Sequence, residues 1–300
     1  MKKTRMERRR EKRSVRRALK QELREHRNSF IVFYILRALV IVTLVRQLLR
    51  GDYESAFLCI LTFLLLYVPS WLQVRLSVEL PPTLEIIILC FIFAAEILGE
   101  VNAFYVLIPG WDAMLHTING FLAAAVGFSM VMILNDNKKL TFDLSPFFLA
   151  MVAFCFSMTI GVLWEIFEFF MDMVFHFDMQ KDVVVHGIYS VMLDPTNSNT
   201  VISMPGIREV TVNGQDLGLG GYLDIGIIDT MKDLIVNFIG AAAFSAIGFF
   251  YASSKGRKQK AAESFLPSKK EAARDYLRQT REEHNRMETV SSCDEEQNNT

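Results

Sequence analysis

Cysteine is scarce, with four residues in a chain of 300. Cys59, Cys90 and Cys155 sit inside apolar runs and Cys293 in a charged tail. Cysteine in such surroundings behaves as a small inert hydrophobe, so neither a disulfide nor a thiol-ligated metal is expected. There is no glycine-rich phosphate loop, no nucleophile elbow and no HExxH pair, which removes three common ways of building an active site. Net charge is almost absent too, at −1 from 32 Lys and Arg against 33 Asp and Glu. That balance hides a strong segregation. Lys and Arg crowd residues 1–28, and no aromatic residue is interleaved with them. Nucleic-acid binding needs stacking platforms beside the charge, so this arm reads as a cytoplasmic topology determinant that touches anionic lipid.

What the chain has in quantity is long apolar sequence, at 51% hydrophobic residues. A bilayer takes about 20 residues of helix to cross. Six runs meet that requirement, at residues 30–49, 55–72, 83–101, 111–134, 146–175 and 227–251. The first follows a long basic stretch without a small-residue cleavage site, so it reads as a retained span and not as a signal peptide. The expected fold is therefore an all-α membrane protein, a bundle of about six transmembrane helices. Its parts are a basic arm over residues 1–28, a membrane domain over 29–252 and a charged tail over 253–300.

Charge asymmetry sets the direction of threading. With the arm inside, an even count returns the tail inside, where Lys255, Arg257, Lys258 and Lys260 follow the last span. The short loop 136–143, with Lys138 and Lys139, also falls inside. Segment 177–226 falls outside and holds only Lys181 and Arg208. This is the pattern of a multi-pass membrane protein with both termini cytoplasmic, Arg50 being a mild exception. In the outer segment DPTNSN (194–199) is a turn cluster, and Asn213–Gly214 is a strong two-residue hairpin signal. Short strands at 200–203 and 207–212 complete the expected extracytoplasmic β-hairpin insertion. Arg37 lies about 10 Å into the first span and needs a partner, for which Glu85 is the candidate.

Against this apolar background, acidic residues recur at helical spacing. In the last span Asp229, Asp233 and Asn237 follow one another at i, i+4, i+8, within an arc of about 80°. The fourth span opens with Asp112, His116 and Gly120 at the same spacing, and Asn119 shares their face. The fifth ends in WEIFEFFMD, which puts Glu165, Glu168 and Asp172 on one face, while the third adds Glu96 and Glu100 near its end. Because the threading alternates, all these faces reach the outer side of the membrane within about two turns of its surface. Carboxylates at such depth are costly and mark functional sites.

Several carboxylates in a low-dielectric setting need a counter-charge. His116 and Lys232 supply part of it, and a bound divalent cation or retained protons supply the rest. Carboxylates with one imidazole and no thiolate suit Zn, Mn or Mg without deciding among them. Asp112, His116, Asp229 and Asp233 are the candidate ligands. Glu165 and Glu168 are candidates for the base of a metal-assisted hydrolysis. Asn237 and Asn119 are candidates for orienting a substrate. A membrane-crossing ion path is poorly supported, since the inner halves of these spans offer only isolated hydroxyls, and their Ala and Gly suit close helix packing.

The stretches DAMLHTINGF, WEIFEFF and IDTMKDLIVNFIGA (112–121, 164–170 and 228–241) resemble the three signatures of the YjdF-like family of uncharacterised bacterial inner-membrane proteins. The resemblance covers residues 93–248. A looser similarity links the chain to the VanZ family, where His, Glu and an Asp-x-x-x-Asn-like final helix also occur and Asp233 and Asn237 would fill that last pair. The extended outer segment and the long charged tails depart from the pattern. The resemblance implies a membrane protein built around this constellation and names no reaction.

Three readings of function follow. The first is a metal-dependent hydrolase of a lipid-linked or envelope substrate. The second is a non-enzymatic binder of lipid, glycopeptide or cation, and the third a small-solute or ion transporter. The sequence does not specify an oligomeric state. Threading is testable by itself: a cysteine placed at Ser198 should react with an impermeant thiol reagent on intact cells, while native Cys293 stays unlabelled. The opposite pattern would reverse the orientation of the acidic faces.

Overall fold

A computed structural model describes residues 27–76, 78–135, 144–254 and 264–269. The basic arm up to residue 26, the loop 136–143 and most of the tail lie outside the described residues. Five described helices are long and apolar enough to cross a membrane. They are α1 (Arg27–Arg50); Tyr53–Trp71, which comprises α2 (Tyr53–Leu65) and the start of α3 (Val68–Leu76); α6 (Trp111–Asn135); α7 (Pro146–Phe175); and α8 (Ile227–Ser253). The expected third span divides into α4 (Pro82–Phe93), with a proline at its first turn where no N–H is needed, and a π-helical stretch Ala94–Val101. A four-residue turn of helix, α5 (Phe104–Leu107), follows.

The chain divides into two compact units. One comprises residues 1–111, 128–150 and 247–300. Here α1 turns back into α2 at Gly51, whose φ of +75° suits a residue without Cβ. Asp52 then caps α2 by accepting from the Ser55 N–H at 3.0 Å. Leu36, Val40, Cys59, Leu66, Leu89 and Ile97 form the core of this unit. The partner of Arg37 differs from the sequence expectation. Its guanidinium lies over the rings of Phe63, Tyr67 and Phe33, at 3.9, 4.3 and 5.1 Å from their centres, and Glu85 accepts from Gln73. Aromatic faces can offset part of the desolvation of an arginine within an apolar span.

The second unit comprises residues 112–127 and 151–246, that is, the start of α6, the later part of α7, the start of α8 and the segment joining α7 to α8. α7 stops where His176 takes a left-handed φ of 58°. The first strand, β1 (Val78–Glu79), belongs to the first unit and pairs antiparallel with β8 (Ser268–Lys269), whereas the ends of the joining segment are brought together by β2 (Val184–Val185) pairing antiparallel with β7 (Tyr222–Leu223). Between them β3 (Gly187–Ser190) pairs with β4 (Ile202–Pro205), and β5 (Thr211–Val212) with β6 (Gln215–Asp216). The second pair is a two-residue hairpin, with Asn213 and Gly214 both at positive φ as the turn type requires. The strand expected at 200–203 lies two residues later and pairs with β3, and the one expected at 207–212 shortens to its last two residues.

Two aspartates organise this segment. Asp194 accepts the N–H and hydroxyl of Thr196, the N–H and hydroxyl of Ser198 and the N–H of Thr200, at 2.6–3.1 Å. The Thr196 hydroxyl and N–H hold its carboxyl well below the usual carboxylate range. Asp224 starts α8 by accepting from Ile228 and Gly226, and it also accepts from Val183. Desolvation raises its carboxyl, but the N–H groups of Val183, Ile228 and Gly226 outweigh that and leave it lowered. A lowered folded value means that the stabilisation from each aspartate is complete above about pH 5 and fades as the pH falls through the folded value. Asp194→Ala should accordingly make the 191–201 loop more protease-sensitive at pH 7, and the wild-type loop should show no change between pH 6 and 8.

Candidate functional site

The site is built in the second unit by three helices, of which α6 and α8 meet without side chains between their backbones. A Cβ added to Gly240 would lie 2.0 Å from the Thr117 carbonyl oxygen, and one on Gly120 2.2 Å from the Asn237 carbonyl oxygen. Gly161 on α7 closes the contact, since a Cβ there would meet the Asn237 amide at 2.6 Å. The Ser157 hydroxyl donates to the Gly120 carbonyl at 2.7 Å. Asn237 is fully buried at the centre. Its Oδ1 accepts from Asn119 at 3.4 Å, and its Nδ2 points to the Met158 sulfur at 3.6 Å. Small residues that allow such approach are what hold helices together in lipid, where no hydrophobic drive exists between them.

One turn along the same faces, about 6 Å away, His116 is surrounded by acids. Its Nε2 is 3.5 Å from Asp112 Oδ1 and 3.9 Å from Asp233 Oδ2, and its Nδ1 is 3.7 Å from Glu165 Oε1. The imidazole thus presents one nitrogen to two carboxylates and the other to a third. His116, Asp233 and Glu165 are buried, at 8%, 3% and 5% exposure, and Asp112 is the more open member. Asp233 Oδ2 and Glu165 Oε2 accept no hydrogen bond among the described residues. Buried carboxylate oxygens without donors are expensive, and the unpartnered atom of Asp233 is the one turned toward His116.

Ligand atoms of Asp112, His116 and Asp233 all lie within 4.8 Å of one another, an arrangement able to hold a metal ion. A tetrahedral ion with bonds of about 2.1 Å separates its ligand atoms by about 3.4 Å, so closing the trio takes movements of roughly an ångström.

The sequence-derived residues divide on this geometry. Asp112, His116, Asp233 and Glu165 come together. Asp229 lies one turn away and accepts from the Lys181 N–H at 2.8 Å. Glu168 is buried and accepts from the Trp164 indole at 2.8 Å. Asn237 and Asn119 bond to each other in the helix contact. Asp172 accepts the N–H groups of Met179 and Gln180. Glu96 and Glu100 belong to the π-helical stretch of the first unit. Sequence reasoning missed Trp164, Gln180 and Thr230. The Trp164–Glu168 pair has the i, i+4 spacing that betrays it, whereas Gln180 and Thr230 meet at 2.5 Å across fifty residues and no local pattern signals that.

A polytopic membrane protein with a buried acid–histidine cluster is what the fold and the site define. Residues 30–254 match the DUF2238 family, described as predicted membrane protein, and the chain belongs to that family. No curated protein and no solved structure matches it.

Gly240→Ala must push a backbone apart, and overpacking of this kind costs about 1–3 kcal/mol. Thermal unfolding in detergent should therefore fall by several degrees for Gly240→Ala. Gly187→Ala serves as the control, because a Cβ there meets nothing closer than 3.5 Å.

Proposed function

We propose that Asp112, His116 and Asp233 bind a divalent cation, and that the bound ion serves the hydrolysis of a lipid-linked or envelope substrate at the outer side of the membrane. The observation that carries this reading is the two-sided environment of His116. With Nε2 among the carboxylates of Asp112 and Asp233, and Nδ1 toward Glu165, the ring has the carboxylate–histidine–metal order in which an acid behind the imidazole sets its tautomer and raises its basicity. Glu165 is then an orienting acid. The base falls to Glu168, held by Trp164. A bound Zn, Mn or Mg ion would lower the pKa of a water and polarise the bond to be cleaved.

A second reading, a cation or lipid binder without chemistry, draws support from Asn119 and Asn237. Their amides are spent on each other and on packing, which leaves fewer polar groups to orient a substrate. Transport is less favoured, because the backbone contacts at Gly120 and Gly240, and that of Gly161 with the Asn237 side chain, occupy the route from the acids along the helices.

The membrane frame belongs to the same proposal. Helix α4 and the π-helical stretch together give 20 residues, 12 and 8, or about 30 Å at 1.5 Å each, and act as the sixth span. The basic arm and tail lie in the cytoplasm, with residues 177–226 outside an inner membrane. The three signatures around the site are those of the YjdF-like pattern.

Purified wild-type protein should carry about one equivalent of divalent metal. His116→Ala and Asp233→Asn should each abolish it and lower thermal stability in metal-replete buffer, a difference that shrinks on chelation. Glu165→Gln should keep the metal at roughly ten- to hundredfold weaker affinity. Wild-type protein without stoichiometric metal, together with an Asp233→Asn variant no less stable than it, would contradict the reading, since removing an uncompensated buried charge costs nothing.

A further inference from the structure

The acids beyond the cluster share a pattern that ligation does not explain. Asp172 lies seven residues beyond Glu165 on α7, and Asp229 four residues before Asp233 on α8. At 1.5 Å per residue they stand about 10 and 6 Å from the cluster, toward the same end. The chain leaving α7 crosses between them. Asp172 Oδ1 and Oδ2 accept from the N–H groups of Met179 and Gln180 at 2.7 and 2.8 Å. Asp229 Oδ2 accepts from the next N–H, that of Lys181, at 2.8 Å. The Gln180 amide donates to Thr230, and its side chain is buried in the space left by the missing Cβ of Gly226. Val183 and Asp224 then exchange a reciprocal pair of bonds, Val183 N–H to the Asp224 carboxylate and Asp224 N–H to the Val183 carbonyl. Six bonds in five residues, four of them from N–H groups to the carboxylates of Asp172, Asp229 and Asp224, are more than a connecting loop needs.

We propose that residues 179–183 form a strap across the outer end of the cation site and that Asp229 is the positioning residue that latches it, not a metal ligand. The inference rests on the cation reading of Asp112, His116 and Asp233. A carboxylate that accepts a backbone N–H holds the strap through a charge-assisted bond. It also places a second negative charge one turn from the ion without occupying its coordination shell. Opening of the strap then governs how fast the ion exchanges with the outside, and the three ligands govern how many ions bind.

The two roles for Asp229 separate on conservative substitution. An asparagine keeps an oxygen that accepts from Lys181 N–H, whereas an alanine does not. As a latch, Asp229→Ala should speed hydrogen exchange of the 179–183 amides by about tenfold or more, the effect of losing a bond to a charged acceptor. Manganese release to a chelator should quicken by a similar factor, with the loaded stoichiometry unchanged, and Asp229→Asn should recover most of both. Asp172→Ala, on the opposite helix, should repeat the signature if Asp229→Ala fails to fold. If Asp229→Ala and Asp229→Asn both lose the bound manganese while the strap amides stay protected, Asp229 is a ligand and the proposal is overturned. Unchanged strap protection in Asp229→Ala overturns it as well. Wild-type protein that binds no manganese contradicts the cation reading, while the amide-exchange arm still decides whether Asp229 latches the strap.

Discussion

A single imidazole among carboxylates, inside an apolar bundle, is the constraint on which the second unit depends. His116 stands within 4 Å of Asp112, Asp233 and Glu165, and among the described residues no lysine or arginine pairs with these acids. One histidine cannot offset three carboxylates, two of them buried, and in a low-dielectric surrounding the residual charge is costly. The cation reading follows from that imbalance more than from any motif. It gives a role to the unpartnered oxygen of Asp233 and a reason for Glu165 to sit behind the ring.

Close packing turns this charge problem into a defined geometry. Gly120 and Gly240 let the backbones of α6 and α8 touch, and Gly161 seats α7 against the Asn237 side chain. That contact fixes the rotation of α6, α7 and α8 about their axes one turn from the cluster. A bulkier residue at any of the three would rotate or displace a helix and spread ligand atoms that already stand about an ångström wide of a closed shell. The joining segment constrains the other end through Asp172, Asp224 and Asp229. The acids of this unit thus divide between those that gather around His116 and those that organise backbone.

Much of this arrangement was legible in the sequence because helical periodicity is local. Asp112 with His116, Glu165 with Glu168, and Asp229 with Asp233 share faces whatever the rest of the chain does. The hairpin at Asn213–Gly214 was legible for the same reason, since its turn demands positive φ at both positions. What was hidden depends on rotation and on distant partners. Whether Glu165 or Glu168 turns to the imidazole is decided by the glycine contacts, not by the spacing. Asn237 read as a substrate group, because its burial among Gly120, Gly161 and Met158 is a tertiary fact. Arg37 found three aromatic rings in place of Glu85, and the π-helical turn at Ala94–Val101 carries no periodic signal of its own.

The central claim is that His116, Asp112 and Asp233 share one ion. X-ray absorption spectroscopy at the zinc edge of protein reconstituted with one equivalent of zinc addresses it most directly, because it reports the ligand atoms themselves. The account predicts a shell of oxygen and nitrogen at about 2.0–2.2 Å with the outer-shell signature of one imidazole and no sulfur near 2.3 Å, and loss of the imidazole signature in His116→Ala. A sulfur shell, two or more imidazoles, or a spectrum unchanged by His116→Ala would contradict it.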